Sequence, residues 1–150
     1  MSRGIENLNI HNEITLPPSI LSCKTLKVLK LNELIVNGFS HQVDFPVLKI
    51  LHLKRMSFES HELVVKLLSG CPIIEELQTK DLYILKDSFV PEKEFDGLLL
   101  SLIKARISFD DYIFRAVVIS TQFRQRNNFR SCSICWRMFS RRSWEKIHLF

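Results

Sequence analysis

The sequence predicts an α/β fold, a right-handed solenoid of short parallel strands joined by mixed helical and loop returns. Three observations predict it. An apolar phrase recurs along the chain, its copies are spaced by a few tens of residues, and turn or helix signals separate them. The phrase reads Leu26-x-x-Leu29-x-Leu31-x-x-Leu34, then Leu48-x-x-Leu51-x-Leu53-x-x-Met56, then Ile74-x-x-Leu77-x-Thr79-x-x-Leu82. Two apolar residues two apart turn one face of a strand into a core and leave the residues between them outward. One such unit cannot bury its apolar face alone, whereas a stack of them can.

Taken in order, the first copy is Ile5-x-x-Leu8-x-Ile10 and a weaker fifth is Leu102-x-x-Ala105-x-Ile107. The copies open at positions 5, 26, 48, 74 and 102, giving spacings of 21, 22, 26 and 28. Those values lie in or near the period of roughly 20–29 residues that marks leucine-rich repeats. In the first return, the proline pair Pro17-Pro18 suits the opening turn of a short helix. Leu16, Ile20 and Leu21 then back the first two strands. The second return, IVNGFSHQVDFP, has no helical period and is expected to be loop, with a turn at Asn37-Gly38. Residues 57–72 predict a helix capped by Ser57 or Ser60, with Glu59 and Glu62 near its start and Lys66 near its end. Leu63, Leu67 and Leu68 give that helix an apolar face, and Gly70 with Pro72 stops it. The charged segment 91–97 reads as a solvated loop.

Composition bounds the function. The chain has 150 residues, 46% of them hydrophobic and 25% charged, which is ordinary globular composition. No apolar run approaches the roughly 18 residues that would suggest a membrane span. The N-terminus lacks the apolar stretch of a secretory signal, so a cytoplasmic or nuclear location is expected and the four cysteines read as reduced thiols. Cys23 and Cys71 open their copies and are expected in the core. The net charge of +5 is uneven. Arg124, Arg126, Arg130, Arg137, Arg141, Arg142 and Lys146 face only Glu145 beyond residue 120, so the repeat region is nearly neutral. This divides the chain into repeats over 1–120 and a basic, Arg-rich tail over 121–150. Phe129-x-x-Cys132-x-Ile134 in that tail reads as a degenerate sixth copy.

On the strand pattern, the outward positions are Asn7, Asn9, His11; Val28, Lys30, Asn32; Ile50, His52, Lys54; Glu76, Gln78, Lys80; and Lys104, Arg106, Ser108. Stacking aligns them in columns, one reading Asn9, Lys30, His52, Gln78, Arg106 and its neighbour His11, Asn32, Lys54, Lys80, Ser108. Glu76 is the single acidic residue of this set. Lys30, Asn32, His52, Lys54, Gln78, Lys80, Lys104 and Arg106 therefore form a candidate concave binding face for an acidic or phosphorylated protein target. The same residues also suit an ordinary solvated face. Positions three beyond the second core residue, where such repeats usually hold Asn or Cys, are Leu34, Met56 and Leu82, so the usual side-chain ladder is missing.

The segments LPPSILSCKTLKVLKLNELIV, FPVLKILHLKRMSF and LLSGCPIIEELQTKDLYI resemble the repeat region of plant F-box/leucine-rich-repeat proteins of the FBD type. The resemblance runs through about residues 5–120. It implies a substrate-recognition subunit of a cullin-RING ubiquitin ligase, in which an F-box docks on a Skp-type linker and the repeats select the target. No F-box pattern precedes Ile5, no FBD-like segment follows Ser120, and the array opens without a polar cap. The chain as it stands is therefore not expected to bind the Skp-type linker.

The alternative chemistry lies in the tail. Cys132-x2-Cys135, Phe139 and His148 reproduce three zinc ligands and a core aromatic of a two-Cys two-His finger, which would make a zinc-dependent nucleic-acid binder. The second histidine would fall beyond Phe150, and three ligands do not close a structural tetrahedron, so neither zinc nor a nucleic-acid partner is expected. Enzyme patterns fail. His61-Glu62 opens like a zincin, but Val65 stands where its second histidine belongs. The four glycines are scattered, and the adjacent pairs Glu75-Glu76 and Asp110-Asp111 point to opposite faces of a strand. No cofactor is expected and no membrane partner.

Overall fold

Alternating apolar residues in each copy of the phrase build one short strand. In the computed structural model, residues 4–12, 16, 18–86, 98–107 and 131–132 are described. The copies form β1 (Asn7–His11), β2 (Val28–Asn32), β4 (Ile50–Lys54), β6 (Glu76–Lys80) and β8 (Lys104–Ile107). They join β9 (Ser131–Cys132) in a six-stranded parallel sheet of order β1-β2-β4-β6-β8-β9. The register follows the phrase without a slip. Leu8, Leu29, Leu51, Leu77, Ala105 and Cys132 are successive partners, as are Ile10, Leu31, Leu53, Thr79 and Ile107. From Leu29 to Ala105 and from Ile10 to Ile107 these inward residues are buried, and they form the core with Leu26, Leu48, Ile74 and Leu102. Residue spacing between copies varies, yet the register does not, because a one-residue slip would turn every leucine outward.

A backbone device repeats at both ends of the strands. Before each strand one carbonyl accepts two N–H groups from the next repeat. Glu6 O takes those of Lys27 and Val28 at 2.7 and 3.0 Å, and Lys27 O takes those of Lys49 and Ile50 at 2.9 and 3.1 Å. Lys49 O receives Glu75 and Glu76, and Glu75 O receives Ile103 and Lys104. After β1, β2, β4 and β6 the chain turns through a left-handed residue, with φ of 55° at Asn12, 60° at Glu33, 51° at Arg55 and 55° at Asp81. The N–H groups of Asn12, Glu33 and Arg55 reach the next repeat at Asn32 O, Lys54 O and Lys80 O. The missing Asn or Cys ladder is thus replaced by backbone bonds between repeats, which frees Leu34, Met56 and Leu82 to be buried.

The returns depart from the sequence expectation in one respect. Ile35–Val36 forms β3 and Ser57–Ser60 forms β5, and with β7 (Tyr83–Lys86) they make a second parallel sheet of order β3-β5-β7. Ser57 is therefore a strand residue rather than a helix cap. Ser60 does occupy the N-cap position of the helix α2 (His61–Ser69), but its side chain makes no capping bond. Extended pairing with a neighbouring repeat outweighs the helix-start preference of Ser and Glu, because each new strand satisfies backbone groups along its length. The other return helix, α1 (Pro18–Leu21), is short and buries Leu21, with Leu16 and Ile20 half-buried against the core. Asn37–Gly38 is a bend in which neither residue is left-handed.

The second return also holds core residues that its irregular sequence hid. Val43 and Phe45 are buried, held by Asp44 N–H on Leu21 O and Phe45 N–H on Gly70 O, both at 2.7 Å. That close approach explains Gly70. Its φ is −78°, an ordinary right-handed value, but a Cβ there would stand 2.4 Å from Val43 O. Helix α2 packs Leu63, Val64, Leu67 and Leu68 inward, and His61 is buried at its start. Cys71 is buried, donates to Leu67 O at 3.2 Å, and burial pushes its thiol up to about 12. Cys23 is only half-buried. Burial pushes its thiol up, but hydrogen bonds from the Thr25 side chain and from the Thr25 and Leu26 backbone outweigh that and hold it below its ordinary value. The expected loop at 91–97, the remainder of the tail, and the side chains of Cys132, Cys135 and His148 lie outside the described residues.

Candidate functional site

Strand alternation places the side chains between the inward residues on the opposite face of the six-stranded sheet. Three columns result. Asn7, Val28, Ile50, Glu76 and Lys104 are successive partners; so are Asn9, Lys30, His52, Gln78 and Arg106; so are His11, Asn32, Lys54 and Lys80. All eight residues singled out from sequence, Lys30, Asn32, His52, Lys54, Gln78, Lys80, Lys104 and Arg106, lie on this face. Ser108 lies outside the described residues.

Their neighbours divide them. Glu76 stands between Lys104 and His52, with Lys104 Nζ at 3.3 Å from Oε1 and His52 Nε2 at 3.5 Å from Oε2. Lys104 is thereby drawn into an internal pair, and the face's only acidic group is countered. Asn32 is occupied at both ends of its amide, by His11 Nδ1 at 2.9 Å and by Arg55 Nε, which donates to Oδ1 at 3.3 Å. Arg55 in turn pairs with Glu33 at 2.6 Å. Among the described residues, Lys30, Lys54, Lys80 and Arg106 have no ion pair. Four cations in two adjacent columns therefore face outward without a counter-charge.

His52 sits at the centre. Its Nε2 is shut off from solvent and makes no hydrogen bond, since the Glu76 carboxylate is 3.5 Å away. Burial holds the imidazole below its ordinary value of 6.5, outweighing the pull of Glu76, and the charges of Lys30 and Arg106 push the same way. A neutral ring results at pH 7.

Beside His52 a groove of about 490 Å³ crosses the first four strands of the sheet, lined by Asn7, Leu8, Asn9, Val28, Lys30, Ile50, His52 and Glu76. The sequence pattern placed all of these but Leu8 on the outward face, yet the candidate binding set drawn from it left out Val28 and Ile50. The signal was present, since both occupy the position just before the first inward residue of their copies. Among the described residues, no group of three or more His, Cys, Asp or Glu is placed to hold a metal ion, and no helix is long and apolar enough to cross a membrane. The face is equipped for recognition through charge, amide and aliphatic contacts.

Comparison with known proteins agrees with the repeat architecture. Residues 2–87 match the family model described as the LRR repeats of the FBD-associated F-box protein At5g56370. That protein of Arabidopsis thaliana is itself 45% identical over 60 residues, 40% of this chain and 14% of its own length. The F-box/LRR-repeat protein At4g14103 is 36% identical over 88 residues, 55% of this chain and 23% of its own, and the F-box/FBD/LRR-repeat protein At4g00160 is 43% identical over 61 residues, 41% and 14%. Both are from Arabidopsis thaliana. The chain spans less than a quarter of the length of each of these relatives. No solved structure matches it. With an α/β fold of in-register parallel strands and more than half of its length matched, the chain belongs to the plant F-box/leucine-rich-repeat family, in the repeat region of its FBD-associated members.

Proposed function

We propose that this chain is a protein-recognition scaffold, a right-handed solenoid whose exposed sheet face selects an acidic or phosphorylated target for a ubiquitin ligase. The observation that carries the reading is the set of uncompensated cations, Lys30, Lys54, Lys80 and Arg106, aligned in adjacent columns of one parallel sheet. Carboxylates and phosphates bind such groups through charge-assisted hydrogen bonds, and the spacing of about 4.8 Å between strands suits successive groups along an extended segment. The F-box in the relatives' names supports the ligase role, which would operate in the cytoplasm or nucleus. The pairing of Ser131–Cys132 with Lys104–Ala105 supports a tail that opens as a sixth, degenerate repeat, and no observation favours a zinc finger there.

The test is binding of a phosphopeptide and acidic-peptide array by the purified chain, compared with Lys54→Glu combined with Lys80→Glu. Both residues are exposed, so the fold is retained and circular dichroism is unchanged. We expect affinity for every bound peptide to fall at least about tenfold, the equivalent of 1.4 kcal/mol. Unchanged affinity would remove this face from consideration.

A further inference from the structure

The groove over the first four strands differs from the rest of the face. Its first column is aliphatic at the centre, where half-buried Val28 and Ile50 are register partners between Asn7 and Glu76. Its second column is polar, with Asn9, Lys30 and His52 side by side. The floor thus offers an apolar seat directly beside an uncompensated ammonium group, with two amides at one end. At the other end Glu76 is paired with Lys104, which counters its negative charge. A groove of about 490 Å³ lies within the roughly 300–1,000 Å³ of typical ligand sites.

We propose that this groove binds an extended acidic peptide segment through two linked contacts, a bulky apolar side chain seated on Val28 and Ile50 and a neighbouring carboxylate on Lys30. The proposal deepens the reading of this face as a protein-binding surface and rests on it. Charge complementarity selects an acidic occupant, because Lys30 in the groove has no ion-pair partner among the described residues, and Arg106, three strands along the same column, has none either. The aliphatic seat then selects among acidic segments, since removing apolar area from water adds affinity that charge alone does not. The amides of Asn7 and Asn9 can satisfy backbone groups of the bound segment. Four strands span about 14 Å, which an extended peptide crosses in about four residues. A peptide fits better than single-stranded nucleic acid because none of the outward positions carries the large ring of a Phe, Tyr or Trp on which successive bases would stack.

The experiment pans a random heptapeptide display library against the purified full chain and measures the enriched peptides by fluorescence polarisation. The proposal expects an apolar residue within one or two positions of Asp or Glu. Replacing that apolar residue by Ala should weaken binding about tenfold, as should Ile50→Asp in the protein. Ile50→Thr provides the milder variant should Asp disturb the strand, and Lys30→Glu should weaken acidic peptides while leaving their apolar preference. Acidic peptides that bind equally well to Ile50→Asp and Ile50→Thr, but lose affinity on Lys54→Glu with Lys80→Glu, would overturn this groove and leave the broader basic face standing. Equal competition by a single-stranded oligonucleotide, with no apolar preference, would overturn it in favour of a polyanion surface. No peptide enrichment by the folded chain would sink both readings.

Discussion

His52 titrates below its ordinary value because burial of the ring outweighs the attraction of Glu76. The unfolded chain, with a value near 6.5, therefore takes up the proton first as the pH falls. This contribution to stability is full above that value and is lost as the pH drops through the window between the unfolded and folded values. His52→Gln should flatten the stability profile below about pH 6.5, measured by urea unfolding, while the wild type loses stability as the pH falls from there. Gly70 makes a second prediction at this scale. A Cβ would meet the Val43 carbonyl at 2.4 Å and its Cγ1 at 2.6 Å, with backbone on both sides of the clash. Gly70→Ala should cost about 1–3 kcal/mol, read from the urea midpoint. Gly38→Ala, with nothing within 4 Å of the added carbon, should be neutral or slightly stabilising. From sequence alone Gly70 reads as a helix stop; the structure adds a second constraint, a contact with a residue 27 positions earlier.

Elements are shaped by the left-handed residue that follows β1, β2, β4 and β6 of the large sheet. Asn12 and Asp81 are of types that favour this conformation but Glu33 and Arg55 are not, which is why the turn was not legible as a repeating signal. The conformation persists because the turn brings the following apolar residue into the core and sets the next strand in the second sheet. Asp81→Gly should raise stability by about 0.5–1 kcal/mol, and Asp81→Val should lower it by about 1–2 kcal/mol, since a β-branched residue strains most there. Equal midpoints for the two variants would show that the turn is not under strain. The same logic explains β5. SFES carries helix-start residues, yet its N–H and C=O groups are better satisfied between β3 and β7 than in an isolated first turn.

The described residues form a stack in which each inner strand is supported by a neighbour on either side and an end strand by one. Stability should then depend on position along the stack more than on residue type. Leu53 lies between Leu31 and Thr79 and is 1% exposed, whereas Ile10 lies on the end strand at 8%. Leu53→Ala should cost about 2–5 kcal/mol and Ile10→Ala distinctly less, compared by urea midpoints with the slope of the transition unchanged. Equal losses would argue against nearest-neighbour support. Function follows from the same arrangement, because in-register stacking converts single outward residues, spaced more than twenty apart in the chain, into continuous columns.

Strand positions, inward and outward faces, and the columns of Lys30, Lys54, Lys80 and Arg106 were determined by the amino-acid sequence itself. Alternation with a period of two leaves one choice of face, and burial of the leucines leaves one register. Tertiary structure alone decided the second sheet, the burial of Val43 and Phe45, and the contact that demands Gly70. It also decided which outward charges remain free. Lys104 and Lys30 are alike in sequence, yet Lys104 lies 3.3 Å from Glu76 and Lys30 has no carboxylate partner. That difference arises because charge pairing depends on distances between side chains from separate repeats, while the face a side chain takes depends only on its own strand.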